Sequence, residues 1–198
     1  MRVIGGKFRS RVLAAQAGMD TRPTSDRLRE TLFNVLTQGA VDRVDGGVFL
    51  DLYAGSGAVG IEALSRGAAS VTFVEQGAAA LRVVEKNLAG LGLDARSRRE
   101  GIRIEKAAVL RFLRGGLERG GVGPFGVMFL DPPYDAAAEY AAVLELLGGD
   151  GRELLVEGAL VVAEHRGKDD PGESFGALRR VRLLKQGDAA LSFYEVSG

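Results

Sequence analysis

Apolar positions along this chain fall into two alternating rhythms. The run that begins at Val48 and breaks at Gly55, and the runs at 69–74, 125–130 and 159–164, are short and almost continuously apolar. They predict strands buried on both faces. Between them the apolar positions recur at helical spacing. Leu28, Leu32 and Val35/Leu36 predict a helix over 24–38, and Ile61, Ala63 and Leu64 one that follows the glycines and stops at Gly67. Leu81, Val84 and Leu88 predict a helix over 77–89, and Glu139 to Leu147 one closed by Gly148-Gly149. Strands alternating with helices predict a mostly parallel sheet covered on both sides. Residues 102–104 read as a short strand followed by a helix over 107–113, after which Gly115-Gly116 and Gly120-Gly121 suggest a flexible surface excursion. Residues 167–177 read as loop, and 178–184 and 189–196, parted by Gly187-Asp188, as an antiparallel hairpin on the sheet.

Before the first helix, residues 1–13 hold two short apolar runs joined by Gly5-Gly6, which suggests a small arginine-bearing hairpin. A hairpin alone is marginal, so it should pack on the main domain. The expected organisation is a basic extension over 1–23 and one domain over 24–198. At 198 residues and 46 % hydrophobic content the chain can build one substantial core. It has no cysteine and only His165, so disulfides, thiolate metal sites and histidine clusters are excluded and no metal is expected. No long apolar span or signal-like N-terminus occurs, which leads to the expectation of a cytoplasmic protein with no membrane partner.

The 26 basic and 26 acidic residues cancel, arguing against nucleic-acid binding by bulk charge. Their distribution changes that picture. Residues 1–30 carry seven basic side chains against three acidic ones, a net charge of plus four. Such a patch can meet a polyanion while the molecule stays neutral.

Candidate chemistry sits at two strand ends. Asp51-Leu52-Tyr53-Ala54-Gly55-Ser56-Gly57-Ala58-Val59-Gly60 reads as strand, tight loop and helix start, with glycines that let a ligand or a neighbouring strand approach. The second strand ends at Glu75, where a carboxylate suits ribose hydroxyls. Together they predict a pocket for an adenine-nucleoside cofactor, although the glycines alone also fit an ordinary turn. At the end of the strand over 125–130, Asp131-Pro132-Pro133-Tyr134 forms a stiff corner. Ligands of open α/β sheets lie beyond such strand ends, so Asp131 and Tyr134 should stand beside the glycine loop.

With these motifs in view, the chain resembles the class I S-adenosylmethionine-dependent methyltransferases, and more closely the bacterial enzymes that methylate the N2 amine of a guanine in 16S ribosomal RNA. The resemblance runs through Ile4-Gly5-Gly6 with Arg9 and Arg11, Arg22-Pro23-Thr24 with Asp26-Arg27, and Arg29-Glu30-Thr31-Leu32-Phe33-Asn34. It continues through the glycine motif, Glu62 to Gly67, Glu75, Lys86-Asn87-Leu88 and Asp131-Pro132-Pro133-Tyr134. It implies a Rossmann-like, doubly wound, seven-stranded sheet with an antiparallel C-terminal hairpin. It also implies S-adenosyl-L-methionine held by Asp51, Ala54, Gly55, Ser56, Gly57, Gly60 and Glu75. Family members commonly carry an acidic or amide residue near the adenine, where this chain has Ala108. Asp131 and the Pro132 carbonyl would orient the target amine and Tyr134 would stack on the base. Lys7, Arg9, Arg11, Arg22, Arg27 and Arg29 are the candidates for RNA phosphates. The implied partner is 16S rRNA within a small-subunit particle, bound by a monomer.

Three other readings compete. The glycine spacing and Glu75 also fit an NAD-dependent oxidoreductase, although Asp-Pro-Pro-Tyr has no part in one. The basic N-terminus fits a non-enzymatic RNA-binding assembly factor. Related Pro-Pro motifs also orient adenine N6 and other planar amines.

Overall fold

In the computed structural model, residues 1–15, 25–39, 41–93, 101–133 and 137–197 are described. The apolar run after Gly47 forms β1 (Val48–Leu52), between β2 (Ser70–Glu75) and β4 (Phe125–Leu130), both parallel to it. β3 (Ile102–Lys106) extends one side of the sheet and β5 (Leu155–Arg166) the other, again in parallel. β7 (Leu178–Gln186) and β8 (Ala189–Val196) then add as an antiparallel pair, and β6 (Ser174–Phe175) closes the edge. The order is β3-β2-β1-β4-β5-β8-β7-β6. The expected doubly wound sheet with its terminal hairpin is present. Among the described residues it has eight strands instead of seven, because a two-residue strand forms inside the segment expected to be loop.

Side chains alternate across each strand, so the sheet carries a core on both faces. Phe49, Phe73, Phe129 and Val162 pack with Leu28, Leu32 and Phe33 of α1 (Asp26–Thr37), and with residues of α2 (Ala58–Ser65) and α3 (Ala78–Gly90). Leu50, Leu52, Met128 and Leu130 pack with α4 (Val109–Arg119) and α5 (Ala137–Gly148) through Phe112, Leu113, Val143 and Leu147. Ser25 caps α1, its hydroxyl accepting from the Leu28 N–H at 3.1 Å.

Two expectations need correction. Gly115 and Gly116 are buried inside α4 rather than lying in a surface excursion. A Cβ on Gly116 would sit 2.9 Å from the Val122 Cβ, so glycine permits the helix to close on the following segment. The N-terminal segment folds back on itself through a bridge between Arg2 and Val12, but Gly5-Gly6 is not its free tip. Both glycines lie against the last turn of α2, and the Lys7 N–H donates to the Ser65 carbonyl at 2.7 Å.

The fastener for this segment is Glu62, a fully buried carboxylate on α2. It accepts from the Ile4 N–H at 2.7 Å and the Gly5 N–H at 2.8 Å, and from Arg66 Nε at 2.7 Å. Arg29, also fully buried, lies 3.8 Å from it and donates to the Asp26 carboxylate at 2.9 Å and to the Arg2 carbonyl. Removing one partner of such a network leaves an uncompensated buried charge. Glu62→Ala should therefore lower unfolding free energy by about 3–5 kcal/mol in urea titration and expose residues 1–15 to proteolysis. A loss below about 1 kcal/mol would show that Glu62 does not hold the segment.

Candidate active site

The strand order reverses between β1 and β4, and the candidate residues Asp51 and Asp131 lie at the carboxyl ends of these strands. Asp51, next to the last residue of β1, is 2 % exposed, and its Oδ2 accepts from the Gly60 N–H at 2.9 Å in the first turn of α2. Glu75 ends β2. Its two oxygens accept from the Gly55 N–H at 3.1 Å and the Gly77 N–H at 2.7 Å. The glycine loop is thus held at both ends by carboxylates from adjacent strands. Gly57 caps α2 with φ +76°, a conformation that disfavours a side chain. At Gly60 a Cβ would lie 2.3 Å from the Phe73 ring, so glycine is what lets α2 sit directly on β2. Gly55 differs: a Cβ there would meet nothing nearer than a carbonyl at 3.8 Å, leaving that side of the loop open to a ligand.

Burial pushes the Asp51 carboxyl up to about 7. The Gly60 N–H partly opposes that rise and the nearby Glu75 adds to it. Asp131, the residue after β4, is half-buried, and its carboxyl is held well above the usual range by desolvation, then by Glu164 and Asp51. A cationic ligand above these carboxyls would favour their ionised forms and offset the cost of burying them. Ala54 is buried and Ser56 half-buried in the loop. Ala108, exposed, precedes the first turn of α4 and caps it with no side-chain hydrogen bond. Pro132 is buried and Pro133 exposed. Tyr134 and Arg22 lie outside the described residues.

Several residues around the candidate site carry contacts that the sequence did not assign to them. Tyr53 takes φ +61°, a rare conformation for a bulky residue, and its hydroxyl donates to Glu139 of α5 at 2.5 Å. Burial and the Glu139 charge hold its phenol above its ordinary range. Asn87, buried on α3, donates to the Ser56 carbonyl at 2.9 Å and the Ala14 carbonyl at 3.1 Å, and accepts from the Ala14 N–H at 2.8 Å. It ties the glycine loop to the N-terminal segment. The resemblance includes Asn87, but no spacing in the sequence shows what it joins. Glu164 had a visible signal, an acidic residue ending a buried run.

The basic candidates divide. Lys7, Arg9, Arg11 and Arg27 are exposed, although Arg11 also donates to the Gly90 carbonyl at 2.7 Å. Arg29 must be withdrawn as a phosphate ligand, since its guanidinium is fully buried with Asp26 and Glu62. Among the described residues no cluster of His, Cys, Asp or Glu could hold a metal ion, and no helix is long and apolar enough to cross a membrane.

A parallel sheet whose last strands turn antiparallel departs from an all-parallel dinucleotide fold, and with the acidic loop frame it places the chain in the class of S-adenosylmethionine-dependent methyltransferases. Residues 1–195 match the family described as Conserved hypothetical protein 95, and the chain belongs to that family. It is 37 % identical over 201 residues to the putative rRNA methyltransferase YlbH of Bacillus subtilis, covering 100 % of both chains. It is 40 % identical over 134 residues to ribosomal RNA small subunit methyltransferase D of Escherichia coli, 68 % of this chain and 60 % of the relative. The solved structure of the putative methyltransferase yhhF from Escherichia coli superposes with a TM-score of 0.79 at 30 % identity, covering 100 % of this chain and 98 % of that one.

The raised Asp51 carboxyl makes the stability of the fold depend on pH. In the unfolded chain it ionises near 3.8, in the fold near 7, so the folded state holds the extra proton and stability falls as pH rises between these values. Wild type should lose on the order of 2 kcal/mol relative to Asp51→Asn between pH 5 and pH 8 in denaturant titrations. Parallel pH profiles for the two proteins would refute this assignment.

Proposed function

We propose that this protein transfers a methyl group from S-adenosylmethionine to the exocyclic N2 amine of a guanine in 16S ribosomal RNA, within an assembled or partly assembled small subunit. The observation that carries this reading is the placement of Asp131 and its Pro-Pro corner at the end of β4, one strand from the glycine loop on β1. The names of two relatives, an rRNA methyltransferase and a small-subunit rRNA methyltransferase, support the substrate class.

The residues present fit the cofactor. The open side of Gly55 leaves room for it against the backbone, and Gly57 and Gly60 keep that loop low over β2. Each Glu75 oxygen now accepts one amide and keeps acceptor capacity for ribose hydroxyls. Asp51 favours a cationic methionine moiety from beneath the loop. With Ala108 in place of a polar side chain, backbone groups at the head of α4 would meet the adenine. When bound, S-adenosylmethionine supplies an electrophilic methyl group on a positively charged sulfur.

A guanine amine is a poor nucleophile because its lone pair is delocalised into the ring. The Asp131 carboxylate and the Pro132 carbonyl accept its N–H protons and turn that lone pair toward the methyl donor, which is catalysis by positioning and by stabilising charge as it develops. Tyr134 supplies a stacking surface for the extruded base. Lys7, Arg9 and Arg27 carry exposed charge for the RNA backbone. The protein acts as a cytoplasmic monomer.

Incubation with labelled S-adenosylmethionine and unmodified small subunits, followed by nucleoside analysis, should yield N2-methylguanosine in 16S rRNA. Label in N6-methyladenosine or in protein would replace this reading. Asp131→Ala should cut kcat by about a hundredfold or more while cofactor binding persists. Replacing Lys7, Arg9 and Arg27 together by alanine should reduce the slope of log affinity for RNA against log salt by about 2. An unchanged slope would remove these side chains from the RNA contact.

A further inference from the structure

β4 and β5 run side by side to the active-site edge. Leu130 is the register partner of Ala163, so the residues that follow, Asp131 and Glu164, are lateral neighbours. Leu130 and Ala163 both belong to the core under α4 and α5, and alternation turns the next side chains toward the opposite face, which Asp51 shares with them. Among the described residues, Glu164 and Asp51 are the charges that act on Asp131.

Glu164 is only 5 % exposed. Its strand partner across β8 is the fully buried Leu191, and its backbone carbonyl accepts from the Tyr140 hydroxyl of α5 at 2.6 Å, which fixes the strand end. Two neighbouring carboxyls at a half-buried site repel one another. A ligand edge made of hydrogen-bond donors would relieve that repulsion. The N1–N2 side of guanine has that character, with N1–H next to the N2 amine. Adenine presents a bare N1 lone pair at the corresponding position, which a carboxylate rejects.

We propose that Glu164 reads the target base: its carboxylate accepts from guanine N1–H, beside the N2 amine held by Asp131 and the Pro132 carbonyl, and so selects guanine over bases without an N1 proton. This rests on the guanine-N2 reading above and adds a specificity-determining residue to it. Extruded bases are read by hydrogen bonds to this edge, and a site built for a donor discriminates strongly against an analogue that lacks it.

The test uses small-subunit particles reconstituted with 16S rRNA that carries either guanine or 2-aminopurine at the methylated position. 2-Aminopurine keeps the N2 amine, replaces N1–H by a lone pair and lacks O6, so the Glu164→Gln comparison separates loss of the N1 proton from loss of O6. Wild-type protein should methylate it with kcat/KM lower by about tenfold or more. Glu164→Gln, whose amide can donate to that lone pair, should bring the two substrates within about threefold of each other. A purely structural role for Glu164 would lower both rates and leave their ratio unchanged, and that result would overturn the proposal. Equal rates of the wild type on both particles would overturn it without recourse to any variant, so a poorly folding Gln protein does not block the test. Failure of the wild type to methylate even the guanine particle is a different result, and it counts against the function proposed above.

Discussion

The site depends on two carboxylates that hold a glycine loop by its backbone. Asp51 takes the Gly60 N–H at the head of α2, and Glu75 takes those of Gly55 and Gly77. These amides have no helix or sheet partner of their own, so the acids both satisfy the loop and fix its path. Ionised Asp51 under a packed helix is energetically unfavourable, which is why its carboxyl titrates near 7. A positively charged ligand nearby would offset that cost.

A second set of buried polar contacts joins the glycine loop and its helices to the N-terminal segment. Glu62 binds residues 4 and 5 to α2, and Asn87 binds residue 14 to the carbonyl of Ser56. The exposed charges at Lys7 and Arg9 are therefore carried on a segment attached at both ends to the helices flanking the glycine loop. Arg29 belongs to this set as well. An arginine in a basic stretch reads as a ligand for phosphate, yet this one offsets the charge of Glu62 and Asp26 in the interior.

Much of the fold was legible because its strands are buried on both faces and its helices on one, and those burial patterns leave distinct periods in the sequence. β1, β2 and β4, the helices beside them and the terminal hairpin all follow from those periods. Edges and exceptions were less legible. Gly115 and Gly116 read as a break because glycine is a poor helix former, but close packing against Val122 overrides that propensity. The two-residue β6 carries no periodicity at all. Within the site, acids at strand ends were readable by position. The roles of Asn87 and Glu62 depend on contacts with residues far away in the chain, and neither helical spacing nor composition encodes those. Tyr53 is similar, since only the backbone reveals its φ of +61°.

The loop framed by Asp51 and Glu75 should hold S-adenosylmethionine and not a dinucleotide. Isothermal titration of the purified protein with S-adenosylhomocysteine and, separately, with NAD tests it directly. One molecule of S-adenosylhomocysteine should bind per chain, with affinity lost in Glu75→Ala, and NAD should give no heat of binding. Saturable binding of NAD, or no binding of S-adenosylhomocysteine to folded protein, would contradict it.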